Sequence, residues 1–145
     1  MLREKIYIAS DHAGFELKEK ICAFFENEHI SFTDLGTNST QSCDYPDYAH
    51  SLVSKIDSKS FGILICGTGI GISIAANRHK GIRCALCSES LSAKFARKHN
   101  DANVLALGAR IIGVDLALDI IKNFIQTPFD EGRHINRIQK IEVDL

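Results

Sequence analysis

The sequence contains no tryptophan, one methionine and two prolines in 145 residues, and it has almost no excess charge of either sign. Its 17 Lys and Arg residues nearly balance 18 Asp and Glu residues, which gives a net charge of −1. Domains whose main partner is nucleic acid are usually basic, so that class is disfavoured. No apolar run approaches the roughly 20 residues that a membrane-spanning helix needs. We therefore expect neither nucleic acid nor a membrane as partner.

Features of secreted proteins are equally scarce. The first five residues are largely charged and lead straight into a strand-like segment, which is not the pattern of a secretory signal. Five cysteines are an odd number, so a disulfide framework is not expected. Cys84 and Cys87 have C-x-x-C spacing without a second ligand pair, so we interpret them as structural thiols on opposite faces of a strand. The sequence thus predicts a cytoplasmic protein with no metal and no other cofactor.

Short apolar runs alternate with amphipathic helical patterns along the whole chain. The predicted strands are residues 5–10, 31–35, 62–66, 82–87 and 104–107. The predicted helices are about 15–28, 46–56, 70–78, 90–99 with a serine cap at 88 or 90, 113–125 and 130–143. This alternation predicts an α/β fold, Rossmann-like, with three layers (α/β/α) and a five-stranded parallel sheet. One domain spanning residues 1–145 is expected at this length.

The most informative stretch runs from Ile63 to Asn77. A fully apolar run leads into Cys66, and glycines follow at positions 67, 69 and 71 before a helical pattern begins. Such a run is typical of a strand buried on both faces, and open sheets bind ligands beyond the carboxyl ends of their strands. Glycines at a helix start expose backbone N–H groups to an anion, and thiols in this setting ionise more readily. Cys66 is therefore a candidate base or nucleophile beside an anion site.

The glycine pattern fits neither common nucleotide-binding motif. The phosphate loop of nucleoside triphosphatases needs four residues between its glycines, and the dinucleotide fingerprint needs a glycine where Ile72 stands. Glu89, however, lies about 20 residues further on, at the end of the next strand, where a ribose-binding carboxylate would lie. A nucleotide ligand is therefore an open alternative at this point.

Two histidines and an aspartate lie at the ends of predicted elements. Asp11 and His12 follow the first strand, at the edge where ligands are expected. His99 closes the fourth helix, where it could partner a nearby thiol or simply interact with the helix dipole. The sequence alone does not bring either histidine next to Cys66.

Three arginines could bind an anionic group. Arg133 and Arg137 are four residues apart on the last predicted helix, so they share one face, and His134 between them points elsewhere. Arg110 follows the fifth strand. The arginine fork donates two parallel hydrogen bonds to phosphate, although a solvated basic face is an equally ordinary interpretation of the helical pair. Together with the thiol, this set favours a small phosphorylated metabolite over a macromolecule.

These residues recur in blocks with a familiar order and spacing, and on these blocks the sequence resembles the type B ribose-5-phosphate isomerases. That family also contains galactose-6-phosphate isomerase subunits. Some of its members carry a glutamate base just after the last glycine, whereas this chain has Ile72 there and keeps the cysteine, which indicates the cysteine subtype. The resemblance covers essentially the whole chain, through the blocks Asp11–Phe15 with Lys18, Asp44–Ala49, Cys66–Ser73, His99–Leu105, Gly108–Arg110 and Gly132–His134 with Arg137.

The resemblance implies a metal-free interconversion of ribose 5-phosphate and ribulose 5-phosphate in the non-oxidative pentose phosphate pathway. It implies a homodimer or a dimer of dimers with active sites shared between subunits. Cys66 would move a proton between C2 and C1, His99 would help to open the furanose ring, and Thr68 and Asp11 would assist. Backbone N–H groups of the glycine turn would hold the enediolate oxygen, from Gly67, Thr68, Gly69, Ile70 and Gly71. Substrate hydroxyls or phosphate would be bound by Asp11, His12, Tyr45 and Asn100, and the phosphate by Arg110, Arg133 and Arg137.

Two alternatives accompany this prediction. The substrate could be a six-carbon sugar phosphate such as allose 6-phosphate or galactose 6-phosphate, because the sequence does not give the depth of the pocket. The second alternative is a sugar-phosphate sensor without catalysis. An intact set of Cys66, His99 and arginines disfavours the sensor, since a sensor has no need of a base.

Overall fold

The computed structural model describes residues 2–143, so residues 1, 144 and 145 of the predicted domain lie outside the described range. The strands of this part are β1 (Lys5–Ser10), β2 (Thr33–Asp34), β3 (Ser60–Cys66), β4 (Cys84–Leu86) and β5 (Val104–Gly108). Its helices are α1 (Phe15–Asn27), α2 (Tyr45–Val53), α3 (Ile70–Ala76), α4 (Ser90–Asn100), α5 (Val114–Gln126) and α6 (Arg133–Gln139). None of these helices combines the length and the apolar character that crossing a bilayer requires.

All strand pairs are parallel, and the strand order is β2-β1-β3-β5-β4, which confirms the predicted Rossmann-like sheet. The order reverses between β1 and β3, because β2 lies on one side of β1 and the later strands lie on the other. Ser10 pairs with Ile65 there, and the N–H of Asp11 donates to the Ile65 carbonyl at 3.2 Å. Asp11 and Cys66 are therefore neighbours at the switch point, where open α/β sheets bind ligands.

Two apolar clusters hold the helices on opposite faces of the sheet. One joins α1, α4 and α5 through residues that include Ile21, Ala93 and Phe124. The other joins α2 and α3 through Leu52 and Ile72. Burying one large apolar side chain contributes about 1.5–3 kcal/mol, so these layers fix the position of the strand ends firmly.

The C-x-x-C pair spans the two clusters, as predicted. Cys84 packs against the cluster under α2 and α3, whereas Cys87 belongs to the cluster on the other face. All five cysteines are free. Burial raises the pKa of the Cys87 thiol to about 11 and also raises that of Cys84, so both stay protonated near neutral pH. Their role is packing.

The bounds of the last helix and the cap of α4 differ from the prediction. The last helix spans Arg133–Gln139 rather than residues 130–143. It begins late because Glu131 and Gly132 have φ angles of 62° and 57°, and it ends at the cap residue Lys140. α4 is capped by Glu89 rather than by a serine, since both carboxylate oxygens accept a hydrogen bond from the Ser92 N–H at 3.0 Å. Hydrogen bonds from Ser92 also hold the pKa of Glu89 below its usual value. The carboxylate required by the nucleotide alternative is thus engaged as a helix cap.

Candidate active site

Cys66 ends β3 and begins a tight turn, here named the thiol turn (residues 66–71). Its sulfur accepts a hydrogen bond from the backbone N–H of Gly69 at 3.1 Å, and the residue is only 4% exposed. Gly69 has a φ of 78°, and a Cβ at this position would lie 2.5 Å from Cδ1 of Leu86. Glycine is therefore required for the chain to turn back over the sulfur.

The remaining backbone of the thiol turn presents free donors. Within residues 2–143, the N–H groups of Gly67, Thr68 and Gly71 donate no hydrogen bond. The N–H of Ile70 donates to Oγ1 of Thr68 at 3.2 Å. Unpaired N–H groups next to a thiol suit a reaction in which negative charge develops on a substrate oxygen.

Arg110 and Tyr45 flank the thiol turn. The N–H of Arg110 donates to the Gly67 carbonyl at 2.9 Å, and its Nη1 would lie 3.2 Å from a Cβ added at Gly67. The ring of Tyr45 lies over Gly71, where an added Cβ would come within 2.5 Å of Cζ. These two glycines therefore let a cation and a phenol approach the backbone closely, and both predicted binding residues lie beside Cys66.

Asp11 and His12 line the same edge from the end of β1. Asp11 is 5% exposed, and its Oδ1 accepts a hydrogen bond from the Gly14 N–H at 3.1 Å. Nδ1 of His12 accepts from the Cys43 N–H at 3.2 Å, so the neutral ring carries its proton on Nε2. The first βα turn thus supplies one carboxylate and one N–H donor close to the thiol.

His99 and Asn100 lie at the opposite edge of the sheet. They end α4, and the next residue is Asp101. Arg3 links Asp101 to the beginning of β3, because its guanidinium donates to the Ser60 carbonyl at 2.9 Å and to Asp101 at 3.3 Å. β3 has seven residues, so its two ends are roughly 20 Å apart. Within one chain, these two predicted site residues are therefore far from the thiol turn.

α6 carries Arg133 and Arg137 to this amino-terminal edge. The N–H of Asp130 donates to a carbonyl in the last turn of α4 at 3.0 Å, and His134 stacks on His99 with ring centroids 4.6 Å apart. Both arginines are exposed, whereas His134 is 8% exposed. The prediction that His134 points away from the arginines is correct, but its contact with His99 was not predicted. His134 is the buried residue of a helix whose other residues are mostly exposed, and this is visible only in the structure.

His99, Asp130 and His134 offer donor atoms that lie within 4.8 Å of one another, which raises the question of a metal site. A metal ion binds an imidazole nitrogen in the plane of the ring. The two rings are stacked only 15° from parallel, so their lone pairs run side by side instead of converging on one ion. The arrangement suits a stacked pair better than a metal centre.

Two cavities of about 640 and 480 Å³ lie away from the thiol turn. Both are lined by His79, Ile82 and Arg83, and the larger one also by Asn100 and Ile141. Arg83 lies at the opposite edge from the thiol turn, as predicted, but it is held by the Asp101 carbonyl at 2.9 Å rather than simply solvated. Neither cavity includes a residue of the thiol turn.

The fold and the site together define a Rossmann-like α/β protein whose switch point carries a buried thiol among backbone donors. The chain matches the model of the family described as Ribose/Galactose Isomerase over residues 6–141. It therefore belongs to the ribose/galactose isomerase family, and the resemblance seen in its sequence blocks is confirmed.

Similar proteins match along nearly their whole length. A ribose 5-phosphate isomerase from Thermotoga maritima is 55% identical, with 94% of this chain and 96% of that chain covered and a TM-score of 0.92. The ribose-5-phosphate isomerase B of Escherichia coli is 44% identical, with 95% and 94% covered. The enzyme of that name from Mycoplasma genitalium, solved with bound ribulose-5-phosphate, is 40% identical, with 94% and 93% covered and a TM-score of 0.90.

Proposed function

We propose that the protein is an aldose–ketose isomerase that interconverts D-ribose 5-phosphate and D-ribulose 5-phosphate. The observation that carries the proposal is the Cys66 thiol, buried at the switch point and surrounded by backbone N–H donors. Relatives named ribose-5-phosphate isomerase, one of them with ribulose-5-phosphate bound, support the choice of substrate. The reaction belongs to the non-oxidative pentose phosphate pathway, and we expect the protein to act in the cytoplasm.

Ring opening comes first in the proposed mechanism. The furanose form of ribose 5-phosphate loses the proton of its C1 hydroxyl, the bond between C1 and the ring oxygen breaks, and that oxygen gains a proton. His99 is the group that we assign to this transfer, because an imidazole can both accept and donate a proton near neutral pH. The product is the open-chain aldehyde, in which C2 carries an acidic hydrogen.

Proton transfer between carbons follows. The Cys66 thiolate takes the proton from C2, the electron pair forms a C1–C2 double bond, and negative charge develops on O1. The free N–H groups of Gly67, Thr68 and Gly71 would stabilise this enediolate, whereas those of Gly69 and Ile70, also predicted as donors, are engaged by Cys66 and Thr68. Removing one such donor typically costs about 2.7–4 kcal/mol. The thiol then returns the proton to C1, while the proton on O2 passes to O1 with help from Thr68.

The remaining predicted residues would hold the substrate. Asp11, His12 and Tyr45 surround the thiol turn, where they would bind sugar hydroxyls. Phosphate at the far end would be bound by arginines and would supply binding energy that orients the reacting carbons. The chemistry requires no metal and no organic cofactor.

A complete site needs a second copy of the chain. His99, Asn100, Arg133 and Arg137 lie at the amino-terminal edge, roughly 20 Å from the thiol turn of the same chain. α4 runs from the carboxyl-terminal edge to the amino-terminal edge. In a two-fold dimer, antiparallel packing of α4 would bring the His99 end of one copy against the thiol turn of its partner. We therefore propose a homodimer with shared active sites, alone or paired further.

Exposed apolar side chains support this dimer. On α4, Leu91 and Phe95 are 60% and 42% exposed and share the helix face that ends in His99. Ile70 of the thiol turn is 53% exposed, and Leu86 and Ile111 beside the turn are 41% and 61% exposed. Apolar surface of this kind commonly marks a protein–protein interface.

Turnover of three sugar phosphates in chelator-treated buffer tests the proposal. We expect ribose 5-phosphate to be isomerised with a higher kcat/KM than allose 6-phosphate or galactose 6-phosphate. Faster turnover of a hexose phosphate would mean that this hexose phosphate, and not ribose 5-phosphate, is the substrate. Loss of activity on chelation, with recovery on adding a divalent metal, would contradict the metal-free chemistry. Binding of all three without turnover would indicate a sensor.

A further inference from the structure

The His99 ring is enclosed by two other rings. Phe95 covers one side, with centroids 4.9 Å apart and planes 25° apart. His134 stacks on His99 at 4.6 Å and 15°. Phe129 in turn contacts His134, with its centroid 6.4 Å away and its plane tilted by 53°. Flat rings stacked this way restrict rotation of the His99 imidazole about its side-chain bonds.

The positions of both neighbouring rings follow from the helices that carry them. Phe95 and His99 are four residues apart on α4 and therefore share a face. His134 is the buried residue of α6, while Arg133 and Ile135 beside it are exposed. A hydrogen bond from the Asp130 N–H to a carbonyl in the last turn of α4 holds the segment before α6 against α4. α6 thus approaches α4 mainly through the ring that stacks on His99.

We infer that Phe95 and His134 are positioning residues for His99, which hold its imidazole in the orientation that opens the furanose ring. The inference rests on the proposed isomerase activity and adds two residues to its machinery. Misplacement of a proton-transfer group by about 1 Å can cost on the order of a hundredfold in rate. A histidine that must act on a substrate bound by another subunit gains directly from such restraint.

The charges around His134 favour a neutral ring. Burial is the largest cause that lowers the pKa of His134, and His99, Arg133 and Arg137 lower it further, while Asp130 acts in the opposite direction. Two stacked cationic imidazoles would repel each other. A neutral His134 avoids this repulsion beside the ring that we assign to proton transfer.

Ribulose 5-phosphate separates ring opening from the enediolate step. Its O5 carries the phosphate, so it cannot close a furanose ring and exists as the open chain. In D2O, Cys66 would take a proton from C1, the thiol would exchange it with solvent, and a deuteron would return to C1. Deuterium entry at C1 thus reports enediolate formation without ring opening, whereas conversion of ribose 5-phosphate reports both steps.

Phe95→Leu, His134→Leu and His134→Phe test the assignment. We expect both leucine variants to lose about tenfold in kcat for ribose 5-phosphate, and to keep deuterium entry into ribulose 5-phosphate within about threefold of the unmodified protein. His134→Phe keeps a flat ring and is expected to retain most of kcat. His50→Ala removes an exposed histidine that also contacts another histidine ring, His79, and serves as the matched control.

Two results would overturn the inference. Equal losses in both assays would mean that the rings only maintain the local fold, and equal behaviour of His134→Leu and His134→Phe would mean that stacking is irrelevant. Phosphate affinity, measured in parallel, detects a displaced α6. If His134→Leu does not fold, Phe95→Leu decides, because Phe95 is exposed, provided that sedimentation velocity shows an unchanged association state, since Phe95 also lies on the proposed dimer interface. No turnover of ribose 5-phosphate by the unmodified protein would instead overturn the proposed function, and this inference with it.

Discussion

The sulfur of Cys66 accepts a hydrogen bond from the backbone N–H of Gly69 at a distance of 3.1 Å. This contact joins the last residue of the central strand to a glycine whose φ of 78° turns the chain back over the thiol. It holds the sulfur toward the switch point of the sheet, where Asp11 is its neighbour. The candidate base and the donors for the developing oxyanion are therefore parts of one short turn.

Replacement of Cys66 tests the assignment of the base. Cys66→Ala is expected to lower kcat for ribose 5-phosphate by about 10² to 10⁴-fold, because proton transfer by a positioned group contributes that much. Phosphate binding and the circular dichroism spectrum should change little, since the alanine fills the same turn. Cys84→Ala is the control, as that thiol lies away from the thiol turn. Near-normal kcat in Cys66→Ala would remove the thiol from the mechanism.

Alkylation should separate the cysteines by their environment. Burial raises the pKa of Cys22 and Cys87 to about 11 and raises that of Cys84 as well. A raised pKa means less thiolate at a given pH, so at pH 8 each carries at most about a thousandth of its thiol in the reactive form. Mass spectrometry after iodoacetamide treatment should find these three unmodified in the folded protein. Labelling of the buried Cys87 as fast as the partly exposed Cys43 would contradict this assignment.

The arginines of α6 should matter for phosphate. Arg137→Ala is expected to raise the KM for ribose 5-phosphate and the Kd for inorganic phosphate by about 10 to 100-fold, the effect of losing a hydrogen bond to a charged group. Lys140→Ala, at the exposed end of the same helix, should leave both constants near their normal values. Unchanged phosphate affinity in Arg137→Ala, measured by calorimetry, would make the arginine face ordinary surface.

The exposed apolar surface beside the thiol turn should govern self-association. Ile74 lies on α3 and is 61% exposed, so Ile74→Asp is expected to shift the proposed dimer to monomer and to lower activity in proportion. Leu2→Asp, at a 49% exposed residue before β1, is the control. Sedimentation velocity checks the association state. A monomeric Ile74→Asp with full activity would mean that one chain suffices for catalysis.

Much of the fold, and the thiol turn within the site, could be predicted from local sequence. The apolar run before Cys66 and its three glycines predict a buried strand and a tight turn, because both features depend on residues next to each other. The cap at Glu89 and the late start of α6 were not predictable in the same way. The cap depends on the Glu89 carboxylate, which accepts the hydrogen bond that a serine hydroxyl was expected to accept. The start of α6 depends on the positive φ angles at Glu131 and Gly132.

The positions of His99 and of the α6 arginines relative to the thiol turn required the three-dimensional structure. Spacing on one helix predicts that Arg133 and Arg137 share a face, but not at which edge of the sheet the helix docks. The spacing also predicts correctly that His134 points away from the arginines, but its stack on His99 depends on a contact between helices far apart in the chain. The separation of His99 from Cys66 likewise follows from strand direction and length, which no local pattern contains.

A subunit-mixing experiment tests the shared active site most directly. Cys66→Ala and His99→Ala, each inactive alone, are unfolded together and refolded as an equal mixture, and heterodimers are verified by mass. If each site combines Cys66 of one copy with His99 of the other, a heterodimer holds one intact site. The mixture should then recover about a quarter of the normal activity on ribose 5-phosphate, since half of the dimers are mixed. Verified heterodimers without activity would contradict the account.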